Sequence, residues 1–227
     1  MVAIGEVTPQ YLYSRDACDN IRASSDVRRL VLMLRCPVRR TWSEYQWRLR
    51  MGDRPRPLAE WLDANPRWAS WSRYSDFLPM WLERFDPSEL LVLLFEDVFA
   101  DVPASRARIA GHLGLDASRW PAGAGETSVN EGGVPRSGPL YHLAIKTAKL
   151  LRRAQLDGVS RLLGHRLGLK KLAETGGSTK LELDDATRAA LAERYAGEAE
   201  RCCDLLRAWD SGFAAGARSD PTSVWLA

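Results

Sequence analysis

Residues 28–45 read Arg28-Arg29-Leu30-Val31-Leu32-Met33-Leu34-Arg35-Cys36-Pro37-Val38-Arg39-Arg40-Thr41-Trp42-Ser43-Glu44-Tyr45. Leu30 to Leu34 are apolar without alternation, the pattern of a strand covered on both faces in a parallel sheet. Pro37 stops the strand and suits the first turn of a helix, so a buried strand, a sharp turn and a helix follow in order and predict an α/β fold. Arg35 then stands at the strand's carboxyl end, where open α/β sheets bind ligands, beside helix N–H groups that attract negative charge. Ser43 follows one to two turns into the helix. A guanidinium and a hydroxyl converging on one helix N-terminus suit a phosphate, each charge-assisted bond contributing about 1.5–3 kcal/mol. The same residues have a plainer reading, with Arg35 as a solvated cap and Ser43 as a local hydrogen-bonder.

Outward from this stretch, Leu90 to Phe95 is a second continuously apolar run and predicts a second buried parallel strand. Glu96 and Asp97 end it. They read either as an acid and base pair or, more simply, as a solvated turn. Pro103 starts a helix that Gly114 ends, with His112 near its C-terminal end in a capping role favoured by the helix dipole. Trp71, Tyr74, Leu78, Trp81, Leu82 and Phe85 recur at helical intervals as a core-facing stripe, which Pro79 should kink or break. Asp184 or Asp185 caps a last helix whose Leu191, Tyr195, Ala199, Cys202, Leu206 and Trp209 share one face. Residues 121–139 form a glycine-rich loop, and Gly176-Gly177-Ser178 reads as a linker. Residues 140–153 predict a helix with Lys146, Lys149, Arg152 and Arg153 on its outer face. That face is either merely solvated or receives an anionic acceptor or, peripherally, a membrane surface.

Composition bounds the partners. With 227 residues, 45% hydrophobic and 27% charged, the chain holds one substantial core. A formal charge of +3, with Lys and Arg interleaved among Asp and Glu, argues against nucleic acid as a partner and makes any basic site local. Cys18, Cys36, Cys202 and Cys203 show neither metal-ligand spacing nor a disulfide framework, so no metal is expected and a reducing cytoplasm fits. No run approaches the roughly 18 apolar residues that span a bilayer, and the start lacks the pattern of a signal peptide. No GxxxxGK[ST] occurs, which ranks a P-loop kinase or NTPase lowest. Nothing in the sequence speaks to oligomeric state.

The run LRCPVRRTWSEY, residues 34–45, resembles the LRxPxxRxxSxY signature of sulfotransferases that use 3′-phosphoadenosine 5′-phosphosulfate (PAPS). Residues 5–12, Gly5-Glu6-Val7-Thr8-Pro9-Gln10-Tyr11-Leu12, are similar to the GEKTPxYL segment of the bacterial and heparan-type members. Residues 89–97 look like the family's later strand, residues 109–115 like its "I..FLGL" helix end, and residues 183–209 like its closing helix. The resemblance implies a P-loop-like three-layer fold with a parallel sheet flanked by helices over residues 1–210, followed by a loose tail at 211–227. It implies PAPS as sulfuryl donor and a hydroxyl or amine of a carbohydrate, glycolipid or other small molecule as acceptor. Arg35 and Ser43 would hold the 3′-phosphate, and Arg136, in the late loop, would reach over the nucleotide. Glu6 is the motif-level carboxylate nearest the cleft and thus the candidate base. One exposed aromatic, Trp68 or Trp71, would stack on the acceptor.

Departures from the family count equally. The family's KxGTTxL or RSGTT loop, which grips the 5′-phosphosulfate, has no counterpart here, nor does the strand that leads into it. The fold is therefore expected to lack its first strand, and the family's Lys before Thr-Pro is replaced by Val7. The alternative function is a non-catalytic remnant that binds adenosine 3′,5′-bisphosphate.

Overall fold

The computed structural model describes residues 4–24, 26–27, 29–51, 53–120, 134–135, 178–179, 181–214 and 219–226. In chain order its elements are α1 (Arg15–Ala23), β1 (Leu30–Leu34), α2 (Pro37–Arg50), α3 (Leu58–Ala64), α4 (Pro66–Ser70), α5 (Leu78–Leu82), β2 (Leu90–Leu94), α6 (Phe95–Ala100), α7 (Val102–Leu113), β3 (Val134–Pro135), β4 (Ser178–Thr179), α8 (Asp185–Arg194), α9 (Glu198–Trp209), α10 (Ser211–Ala214) and α11 (Pro221–Trp225). The architecture is mixed α/β, mostly helical. Contacts divide the chain into two compact units, one of Met1–Arg40, Ala69–Thr127 and Leu191–Ala227, the other of Thr41–Trp68 and Ser128–Ala190.

The first unit is built on a parallel pair. β1 and β2 run side by side in register from Leu30↔Leu90 to Leu34↔Leu94. Every residue of β2 is buried, whereas β1 alternates, with Leu34 fully buried and Val31 and Met33 exposed by 40% and 42%. Cover on both faces therefore holds for β2 alone. In β1 the side-chain period of two sends Leu30, Leu32 and Leu34 to the core and the intervening pair to an open face.

Short helices close over that core. α1 begins where Ser14 accepts the Ala17 N–H, and it buries Cys18. The aromatic stripe is not one helix: residues 66–82 split into α4, a 3₁₀ turn at Tyr74–Asp76 and α5. Pro79 occupies the second position of α5 and so initiates a helix instead of breaking one, because the first turn needs no N–H there. Trp71, Tyr74, Leu78, Trp81 and Phe85 are buried all the same. α7 starts at Asp101, whose side chain accepts the Ala104 N–H, and ends at Gly114 with φ +67°. His112 does not cap that end; its ring N–H donates to the Leu30 carbonyl at 2.9 Å and ties α7 to β1.

The last predicted helix is two. Gly197, with φ +73°, separates α8 from α9, and Asp184 caps α8 by accepting the Thr187 N–H at 2.8 Å. Leu191, Tyr195, Ala199, Cys202 and Leu206 are buried as one face across the break. Glu198 is buried too, its carboxylate accepting from the Ser75 N–H, the Ser75 hydroxyl, Arg201 and the Cys202 thiol. Residues 211–227, expected to be a loose tail, carry α10 and α11, with Phe213 2% exposed. Asp220 caps α11 through a capping box and pairs with Arg207 of α9. Burial alone would raise the Asp220 pKa, but bonds from Thr222, the Ser223 N–H and Arg207 outweigh it and hold the carboxyl well below its usual range.

In the second unit, the later part of α2 carries Tyr45, whose ring meets Trp61 of α3 at 5.4 Å and whose hydroxyl donates to the Arg56 carbonyl. Ser178–Thr179 pairs antiparallel with Val134–Pro135, so Ser178 belongs to a strand and not to a linker. The rest of the glycine-rich loop, Gly176-Gly177 and the basic helix predicted at 140–153 lie outside the described residues.

Candidate functional site

The turn after β1 places Arg35 where the sequence expects it, at the carboxyl end of the strand and two residues before the first residue of α2. Its backbone is fixed by the Arg35 N–H, which donates to the hydroxyl of the fully buried Tyr74 at 3.4 Å. Its guanidinium lies over the ring of Phe95, 4.6 Å from the centroid, a cation–π contact with the first residue of α6. Burial lowers the Arg35 pKa and the neighbouring Glu96 carboxylate partly restores it. The charge persists at neutral pH regardless.

Arg35, Arg39, Phe95, Glu96, Phe99 and Ala100 line an open pocket of about 380 Å³. The pocket lies wholly within the first unit. One wall is aromatic: Phe95 and Phe99 meet at 4.5 Å, and Phe99 is 49% exposed. The opposing charges are two guanidinium groups and one carboxylate. Glu96 is not part of a solvated turn. Its Oε1 accepts the Cys36 N–H at 3.1 Å, joining the turn after β1 to the turn after β2. Its other oxygen, Oε2, is buried without a hydrogen-bond partner, and so is Nε of Arg35. A buried polar atom left unpaired costs about 1–3 kcal/mol, and two of them lie beside this one cavity.

The other expected site residues distribute differently. Ser43 is half-buried on α2, in the second unit, while Arg35 belongs to the first. Arg136 lies outside the described residues. Glu6 is exposed and engaged locally, its Oε1 accepting from the Tyr11 hydroxyl at 2.6 Å and the Thr8 hydroxyl at 2.7 Å. The bond from Tyr11, then that from Thr8, lowers its pKa. The aromatics expected to stack on an acceptor are already engaged: Trp71 is buried and stacked on Tyr13 at 4.2 Å, and Trp68, half-buried, carries the Arg48 guanidinium at 3.7 Å.

Arg39, Phe95 and Phe99 are the contributions that sequence reasoning missed, and Glu96, read there as an acid or base or as a solvated turn, was not connected to Arg35. A signal for them exists in the parallel pairing, since two strands in register bring the residues that follow each strand to the same edge. Among the described residues, no group of three His, Cys, Asp or Glu side chains could hold a metal ion. Among them, too, no helix is long and apolar enough to cross a membrane. Neither a protein-family model nor a curated protein matches the chain.

Proposed function

We propose that the chain is a PAPS-dependent sulfotransferase of P-loop-like three-layer fold, with Arg35 holding the 3′-phosphate of the nucleotide. The observation that carries this reading is the half-buried Arg35 guanidinium, with an unpartnered Nε, at the carboxyl end of a parallel strand and beside an open pocket. The signature around it, Leu34 to Tyr45, supplies the family, and the exposed Phe99 ring suits a flat base next to the anion. The acceptor is a hydroxyl or amine of a carbohydrate, lipid or other small molecule. Its heteroatom attacks sulfur in line, the bond from sulfur to the bridging phosphate oxygen breaks, and adenosine 3′,5′-bisphosphate leaves as the acceptor's proton passes to a base.

A second reading is favoured by one observation: Glu6 is a poor base, because its carboxylate already accepts two hydroxyl bonds and is held more acidic than usual. In that reading the chain binds nucleotide and transfers nothing. Both readings expect adenosine 3′,5′-bisphosphate to bind and adenosine 5′-phosphate to bind far more weakly by calorimetry. Both expect Arg35→Ala to weaken the bisphosphate by roughly 10- to 150-fold, the worth of a hydrogen bond to a charged group. Equal affinity for the two nucleotides overturns the assignment of Arg35. Transfer of label from sulfur-labelled PAPS to an acceptor separates the enzyme from the remnant.

A further inference from the structure

We propose that Glu96 is a specificity-determining residue of this pocket, the acceptor for a hydroxyl on the carbon next to the bound phosphate. For a nucleotide phosphorylated at the 3′ position that group is the ribose 2′-hydroxyl. The inference rests on the reading of Arg35 as a phosphate ligand and assigns a separate task to its neighbour.

Beside the pocket lie a buried unpaired donor, Arg35 Nε, and a buried unpaired acceptor, Glu96 Oε2, and these two do not bond each other. A ligand that is only an anion satisfies the first and leaves a carboxylate facing its own charge, so simple phosphate fits half of the site. A ligand that carries a hydroxyl beside its phosphate satisfies both. Glu96 is held for this purpose from one side only: Oε1 keeps the Cys36 N–H at 3.1 Å. The terminal torsion of a Glu side chain is soft, so a small turn presents Oε2 to the pocket while that bond survives. A carboxylate after a parallel strand accepting ribose hydroxyls has a general precedent in dinucleotide-binding sheets.

The test measures binding of adenosine 3′,5′-bisphosphate and of its 2′-deoxy and 2′-fluoro analogues to the full chain by calorimetry. Wild type is expected to prefer the ribonucleotide over both analogues by about ten-fold or more, because a site built around a hydroxyl rejects ligands that lack one. Glu96→Gln keeps an oxygen for the Cys36 N–H, and in it the preference is expected to shrink several-fold, while the 2′-deoxy compound binds at least as well as it does to wild type. The wild-type series alone is decisive if the variant does not fold. Equal binding of all three compounds to wild type overturns the role of Glu96 and leaves Arg35 as the phosphate ligand. An unchanged preference in Glu96→Gln places the discrimination elsewhere. Failure of every compound to bind overturns the phosphate site itself.

Discussion

Arg35 and Glu198 show how one charged residue is kept in a largely apolar surrounding by two different means. Glu198 is 1% exposed, and every bond it accepts comes from within the first unit. Its removal leaves the Ser75 N–H without its acceptor, so Glu198→Ala is expected to cost about 1–3 kcal/mol in denaturant-induced unfolding. Arg35 is held instead by the ring of Phe95 and by the Tyr74 hydroxyl on its backbone, with its Nε left unsatisfied. The planar fork matters as well as the charge, so Arg35→Lys is expected to lose about ten-fold or more in affinity for adenosine 3′,5′-bisphosphate in the same titration.

The two strands of the sheet look alike as sequence and differ as elements. Val92 is fully buried in β2, whereas Met33 of β1 is 42% exposed. Val92→Ser is therefore expected to cost about 2–4 kcal/mol by thermal or chemical unfolding, and Met33→Ser less than about 1 kcal/mol. This asymmetry marks where sequence reading stops. The parallel pair, the turn at Pro37, the helix ended by Gly114 and the buried face from Leu191 to Leu206 were all legible, because each follows from a local pattern of apolar spacing or capping. Exposure of Val31 and Met33 was not, since an apolar run records what a strand tolerates and not how many layers cover it. Arg35 was legible as a strand-end cation. Phe95 as its companion was not, and Glu96 was legible only as a strand-end carboxylate, since both reach the pocket through the register of β1 on β2. The two-helix ending escaped because the spacing of the buried residues stays in phase through Gly197.

At the scale of the molecule, the pocket and the core share one unit, so occupancy of the first is felt as stability of the second. A nucleotide present at about 100 times its dissociation constant adds about 2.7 kcal/mol to a state that alone can bind it. For a chain of this size that corresponds to a rise of roughly 5–10 °C in melting temperature, with about half that rise or less in Arg35→Ala at the same nucleotide concentration. The first unit is also discontinuous, gathered from three separated segments of chain. Its core joins Leu12 and Cys18 near the start to Leu78 and Val92 in the middle and to Cys202, Leu206 and Phe213 near the end. A ribosome delivering this polypeptide thus exposes β2 and the aromatic residues around it long before α9 emerges to cover them. Folding of that unit is therefore expected to wait for α9 and α10, its unfinished centre open to sticking until they emerge.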